Sequence, residues 1–298
     1  MTKCGHRQSA VGENGREAIG RLAGREDEVV CELFAVSSRA PARLSLSMRR
    51  LAARGAPGGK LADGWGVACY DGFDARLLRE PEPAGDSAWL DHVIKSGRPH
   101  SRIVIAHIRH ATRGSIAFAN TQPFARELGG RVHVFAHNGM LAAIEHTIGP
   151  SCRRYRPVGE TDSEVAFCGL MERLAPLWDD GAPSAEARFE TLARFAEELR
   201  ALGPANFLYS DGELLFAHGH RRTQEDGRIS PPGLTVLSRK SAAEHDGFAA
   251  AGVTLETDCG PQSLTVFASV PLTDEDWRPL REGEMVMVRE GEQLAMRF

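Results

Sequence analysis

From residue 31 onward, the chain places several short apolar runs ahead of one long helical block, then returns to apolar runs. CELFAVSS, GWGVACYD, RIVIAHIRHAT and RVHVFAHNG come first, each bounded by Gly or polar residues. Runs of this length read as short, largely buried strands. Between them, ARLSLSMRRLAARG and DSAWLDHVIKSG carry helical spacing. SEVAFCGLMERLAPLW and ARFETLARFAEELRALG form a helical pair broken at GAPS and stopped at Gly203-Pro204. Strand patterns resume with NFLYSDGELLFAHG, which holds an Asp211-Gly212 hairpin turn, then GLTVLS, SLTVFASVPL and EMVMVREGEQLAMRF. Strands, two helices, then strands again predict an α+β fold in which two antiparallel sheets pack face to face with helices outside. That is a four-layer αββα sandwich. With no internal repeat and no linker, residues 31–298 read as one domain.

The bulk composition narrows the functions. Hydrophobic content of 42% and charged content of 26% are ordinary for a globular chain. A net charge of −4 without a long basic run argues against a nucleic-acid surface. No apolar stretch reaches the roughly 18–20 residues of a membrane span. Residues 1–30 are polar and rich in Gly, Arg and Glu, with no apolar core of a secretory signal, so they read as disordered or as absent from the mature protein. Six scattered cysteines (Cys4, Cys31, Cys69, Cys152, Cys168, Cys259) read as free thiols in a reducing cytoplasm.

Four stretches stand out, and each has a bland reading. Cys31 alone is a small buried hydrophobe. Arg109, closing a strand, is a surface or ion-paired residue. Asn138-Gly139 after an apolar run is a favoured type I′ turn. TDSE fits a capping box, with Thr161 as N-cap and Glu164 three residues on. His107 and His110 have H-x-x-H spacing, but on a strand they point to opposite faces and no third ligand is evident. His133 and His137 likewise read as structural. No metal or cofactor is implied.

Taken in order, CELF, HIRHAT, NTQPF, HNG and ETDSE resemble the class II glutamine amidotransferase family. The resemblance covers nearly all of 31–298. NFLYSDG, GLTVLS and SVPLTDEDWRPLREGEMVMV point to its stand-alone branch. It implies the N-terminal-nucleophile hydrolase fold and hydrolysis of glutamine, or of a γ-glutamyl amide, through a thioester on Cys31. It also implies that Asn138 and Gly139 stabilise the oxyanion. Arg109 and Thr112 would bind the substrate α-carboxylate, and Asp162 the α-ammonium. Gln122 departs from the pattern, because many relatives carry His there.

The implied chemistry needs Cys31 to be the first residue, so that its α-amine acts as base. Three states of residues 1–30 follow: a start that truly lies at Val30, a removed propeptide, or a retained leader that blocks the amine. Two other functions stay open. One is a glutaminase subunit delivering ammonia to a separate synthase or partner subunit. The other is a γ-glutamyl-binding module without catalysis, if Cys31 stays blocked.

Overall fold

Alternation along each strand decides which layer its side chains enter. The continuous apolar runs arise because both faces of the strands are covered. The computed structural model describes residues 32–43, 63–96, 100–224, 226–241, 249–250, 253–255 and 261–298. Residues 1–30, Cys31 and the helix expected over ARLSLSMRRLAARG from Leu44 onward lie outside the described residues. The strands are β1 (Glu32–Arg43), β2 (Gly64–Asp71), β3 (Asp74–Glu80), β4 (Ser101–Arg109), β5 (Phe124–Leu128), β6 (Arg131–Gly139), β7 (Ala205–Ser210) and β8 (Leu215–Gly219). They continue with β9 (Arg222–Thr223), β10 (Ile229–Ser230), β11 (Thr235–Ser241), β12 (Ala249–Ala250), β13 (Val253–Leu255), β14 (Gln262–Ala268), β15 (Arg278–Pro279), β16 (Glu284–Arg289) and β17 (Glu292–Arg297). The helices are α1 (Ala88–Ser96), α2 (Ile144–Thr147), α3 (Asp162–Leu174) and α4 (Ala185–Arg200).

Among the described residues two large sheets form. One runs β15-β11-β14-β1-β4-β2-β3, with β13 also pairing β1 and carrying β12. The other runs β17-β16-β8-β7-β6-β5. Their pairings are antiparallel throughout. Leu33, Ala35, Ile103 and Ile105 from the first sheet pack with Val134, Ala136, Leu208 and Ala217 from the second, which defines the layer between them. The other face of the second sheet meets α3 and α4 through Phe135, Phe167, Leu192, Phe195 and Phe207. On the first sheet's outer face, Phe34, Trp65 and Val104 are covered by Leu90 of α1 and by Trp277. The αββα arrangement is therefore the observed one, with α1 the outer helix of the first sheet among the described residues. Phe135 is fully buried and stacks on Phe167 at 5.4 Å between centroids. Truncating it to Ala would cost about 3–5 kcal/mol.

Local signals hold the helices where they fall. Ser184 caps α4 by accepting from the Ala187 N–H at 3.1 Å, and Ser87 accepts from Leu90 N–H at 2.9 Å ahead of α1. Asp211 Oδ1 accepts from the Glu213 and Leu214 N–H groups, each at 3.0 Å, which closes the β7–β8 hairpin.

Candidate functional site

β1 begins at Glu32, so the residue that follows Cys31 can be located. Glu32 pairs with Ile108 and Leu33 with His107 on β4. Leu33 N–H donates to Ser269 Oγ at 2.9 Å and its carbonyl accepts from Ser269 N–H at 3.0 Å. Arg222 approaches the buried Glu32 carboxylate at 3.6 Å and donates to the Ser269 carbonyl at 2.8 Å. This end of the central strand is thus fixed from two sides.

Arg109 ends β4 opposite Gly64 and is only 3% exposed. Alternation places it on the same face as Ile105, toward the space between the sheets. It donates to the Arg113 and Gly114 carbonyls at 3.0 and 3.3 Å. Asp63 secures the strand end by donating its N–H to the Arg109 carbonyl at 2.8 Å and accepting from Ala111 N–H at 2.6 Å. Thr112 lies on the following loop and is exposed.

HNG is not a turn. Asn138 and Gly139 are the last residues of β6 and pair with Asn206 and Ala205 of β7. Gly139 has φ of 154°, and a Cβ there would fall 1.8 Å from the Pro204 carbonyl oxygen. Only glycine fits that approach. Asn138 is buried and shares the face of Val134 and Ala136, toward the first sheet.

Asp162 is the first residue of α3. Its Oδ2 accepts from Leu141 N–H at 2.7 Å and its Oδ1 from Ser163 N–H at 2.9 Å. Ser163 Oγ also donates to Oδ1, at 3.5 Å; the carboxylate is buried, yet two oxygens offer about four acceptor sites, so capacity remains after three bonds. The capping box is half formed. Thr161 accepts from Glu164 N–H at 3.2 Å, as expected. Glu164 instead turns outward to the Val158 and Gly159 N–H groups at 3.0 and 2.7 Å, and to Arg126 at 2.6 Å. It therefore ties the approach to α3 rather than closing the box.

The loop between β4 and β5 joins these parts. A Cβ on Gly114 would meet Asn120 Nδ2 at 2.9 Å and the Glu160 Cβ at 3.5 Å. Asn120 Oδ1 accepts from Glu160 N–H at 2.7 Å. Arg109 thus holds the loop segment that leans on Glu160, two residues before Asp162. Leu141, two residues after Gly139, touches Asp162 directly. Arg109, the Asn138-Gly139 pair and Asp162 therefore gather at one end of the two sheets, the end where β1 begins.

The imidazoles nearby are neutral at neutral pH. Burial first, then neighbouring positive groups, push His107 down to about 3. His137 is lowered by burial, with Asp162 and the Pro204 carbonyl pulling the other way, and its Nδ1 lies 2.9 Å from Ser163 Oγ. Burial also lowers His110. Among the described residues no group of three His, Cys, Asp or Glu side chains could hold a metal ion. His133 sits far from this end, against Tyr209 Oη at 2.5 Å and the Leu128 carbonyl at 3.1 Å. Burial pushes the Cys69 and Cys168 thiols up to about 12, so they are poor nucleophiles. Cys4 and Cys259 lie outside the described residues.

Two residues at this end were not singled out for it by the sequence. Gln122 Nε2 donates to the His137 carbonyl at 3.0 Å and its Oε1 accepts from His137 N–H at 2.6 Å. Asn206, fully buried, donates to the Asn138 and Arg221 carbonyls at 3.1 and 2.6 Å and accepts from His220 N–H at 2.7 Å. Both act on the backbone through strand register, which residue type alone does not reveal.

Known proteins share this chain's pattern. The family model for class II glutamine amidotransferases matches residues 30–297. YafJ of Escherichia coli (strain K12), which bears a provisional glutamine amidotransferase name, is 33% identical over 267 residues, spanning 89% of this chain and 100% of YafJ. A crystal structure described as a "predicted glutamine amidotransferase from Pseudomonas aeruginosa PA01" is 33% identical with a TM-score of 0.61, covering 89% of this chain and 100% of that one. The glutamine phosphoribosylpyrophosphate amidotransferase of Bacillus subtilis, 16% identical, superposes with a TM-score of 0.55 over 90% of this chain and 49% of its own, and so shares the N-terminal-nucleophile hydrolase fold. The chain belongs to the class II glutamine amidotransferase family.

Proposed function

We propose that the chain is a stand-alone amidohydrolase that cleaves the side-chain amide of glutamine, or of a γ-glutamyl compound, with Cys31 as nucleophile. The observation that carries this reading is the gathering of Arg109, Asn138, Gly139 and Asp162 at the sheet end where Glu32 opens β1. A free thiol has a pKa near ~8.5 and an α-amine near ~7.7–8.0, so an N-terminal cysteine carries a base matched to its own thiol. The amine takes the thiol proton, the sulfur attacks the amide carbon, and the C–N bond breaks as ammonia leaves with the returned proton. Water then cleaves the thioester to release glutamate.

Each binding role follows from charge. Arg109 presents a planar fork to the substrate α-carboxylate, and the Thr112 hydroxyl adds a second contact to it. Asp162 uses its remaining acceptor capacity for the α-ammonium. The Asn138 amide and Gly139 N–H receive the oxyanion. All of this requires residues 1–30 to be absent from the working enzyme, leaving residues 31–298 as the catalytic domain.

The first test is intact mass with N-terminal sequencing of protein made from the native gene and its own upstream DNA, followed by ammonia-release assays on glutamine and γ-glutamyl amides. A chain beginning at Cys31 that releases ammonia, and a Cys31→Ala form that releases none, is the expected result. An unprocessed chain beginning at Met1, with equal rates in both forms, would overturn it.

A further inference from the structure

We infer that Asn206 and Gln122 form a two-carboxamide clamp that aims the Gly139 N–H, and that both are positioning residues for the oxyanion donor. The inference rests on the amidohydrolase reading above and adds to it the groups that hold its backbone donor in place.

The first arm is Gln122. β5 and β6 pair from Phe124↔Phe135 to Leu128↔Arg131. Continuing that register by two residues places Gln122 opposite His137. There the ladder has ended: Pro123 has no N–H to give, and the chain leaves β6. The Gln122 side chain supplies what its backbone does not. It accepts from His137 N–H at 2.6 Å and donates to the His137 carbonyl at 3.0 Å, as a strand neighbour would. Gln122 as a whole is 5% exposed.

The second arm is Asn206. Strand alternation sends the His137 backbone groups toward β5 and the Asn138 carbonyl toward β7. The Asn138–Gly139 peptide is trans, so its N–H points opposite to its C=O. Whatever holds the Asn138 carbonyl therefore sets the direction of the Gly139 N–H. Asn206 Nδ2 donates to that carbonyl at 3.1 Å. Its own orientation is fixed by Arg221 O at 2.6 Å and His220 N–H at 2.7 Å. A Cβ on Gly233 would fall 1.6 Å from Asn206 Oδ1, so the carboxamide is also walled in. The Gly139 N–H consequently faces away from β7, beyond the point where β5 stops. Gly139 lacks the Cβ that would oppose a turn of this peptide, and the clamp reinforces the restraint that the β6–β7 pairing already imposes.

Asn206→Asp keeps size and the acceptor for His220 but loses the donor to Asn138 and to Arg221. Three constants are measured on the chain beginning at Cys31: kcat and KM for glutamine, Ki for the product glutamate, and Ki for glutamate γ-semialdehyde. The last adds the Cys31 thiol across its C=O to give a hemithioacetal, whose oxygen occupies the oxyanion position. We expect kcat to fall at least about tenfold, and by no more than the ~10²–10³ that loss of the donor itself costs. The semialdehyde should weaken by the same factor, while KM and the glutamate Ki stay within about twofold. Loss of glutamate binding in step with kcat, or no change in kcat, would overturn the clamp.

Gln122→Glu supplies an independent arm that does not depend on Asn206→Asp folding. A protonated carboxyl can both donate and accept at His137, whereas a carboxylate only accepts. Its kcat relative to wild type should therefore rise as pH falls. A ratio that is flat with pH would overturn the clamp as well. If the wild-type chain beginning at Cys31 neither releases ammonia nor binds the semialdehyde, it is the amidohydrolase reading that fails.

Discussion

The two ends of β6 bury polar groups in opposite ways. At its start, Arg131 reaches Glu213 at 3.0 Å, in a network where Arg188 meets Asp211 at 2.7 Å and Glu213 at 3.1 Å, and Arg289 meets Glu213 at 2.7 Å. Full charges pair there, three guanidiniums with two carboxylates, and Asp211 is wholly buried. At its finish, the shaping groups are neutral: the Gln122 and Asn206 carboxamides and a set of uncharged imidazoles. The difference teaches where charge is spent. Charges paired within the protein set structure, whereas on the proposed amidohydrolase reading neutral walls leave the Arg109 and Asp162 charges for a zwitterionic substrate.

That contrast can be broken by exchange of effects. Asp211→Ala should have the largest effect, leaving Arg188 buried without its closest partner and lowering stability by about 3–5 kcal/mol. Urea unfolding reads this, with kcat per folded molecule unchanged. Asn138→Ala should do the reverse, lowering kcat by about 10²–10³-fold while the urea midpoint moves little. If each variant damaged both quantities alike, the division between the ends would be false.

The pH dependence sharpens the comparison at the structural end. Burial pushes His133 down to about 4, below the ordinary ~6.5 it regains on unfolding. The unfolded chain therefore binds the proton first, so the stability that neutral His133 allows is complete above about pH 6.5. It is lost as pH falls toward 4. His133→Asn should flatten the slope of unfolding free energy against pH in that window by up to one proton, read from urea midpoints at several pH values. The smallest effect belongs to Thr161→Ala. Removing the α3 cap should cost about 0.5–2 kcal/mol. Because Asp162 is the next residue, KM for glutamine should rise more than kcat falls.

Much of this was legible in the sequence. The apolar runs located β1, β2, β4 and β6, and the break at GAPS separated α3 from α4, because long periodic segments carry strong signals. The motif residues Arg109, Asn138, Gly139 and Asp162 came out gathered at one end. Asn138-Gly139 misled as a turn because local propensity yielded to pairing with Asn206 and Ala205. The TDSE box formed only its Thr161 half, since Glu164 found Arg126 and two loop amides closer to hand. Gln122 looked like a missing imidazole, and Asn206 was one unremarked residue of the NFLYSDG strand pattern. Their hydrogen bonds to backbone depend on strand register, and register is a long-range property.

The place of β1 has a consequence for timing during synthesis. It lies between β4 and β14, and Leu33 is bonded to Ser269 across 236 positions of chain. A nascent chain on the ribosome exposes β1 long before β14 exists, so the strand waits with one edge open. The sheet can close around it only after nearly the whole polypeptide has emerged, which makes completion of translation the event that assembles the site.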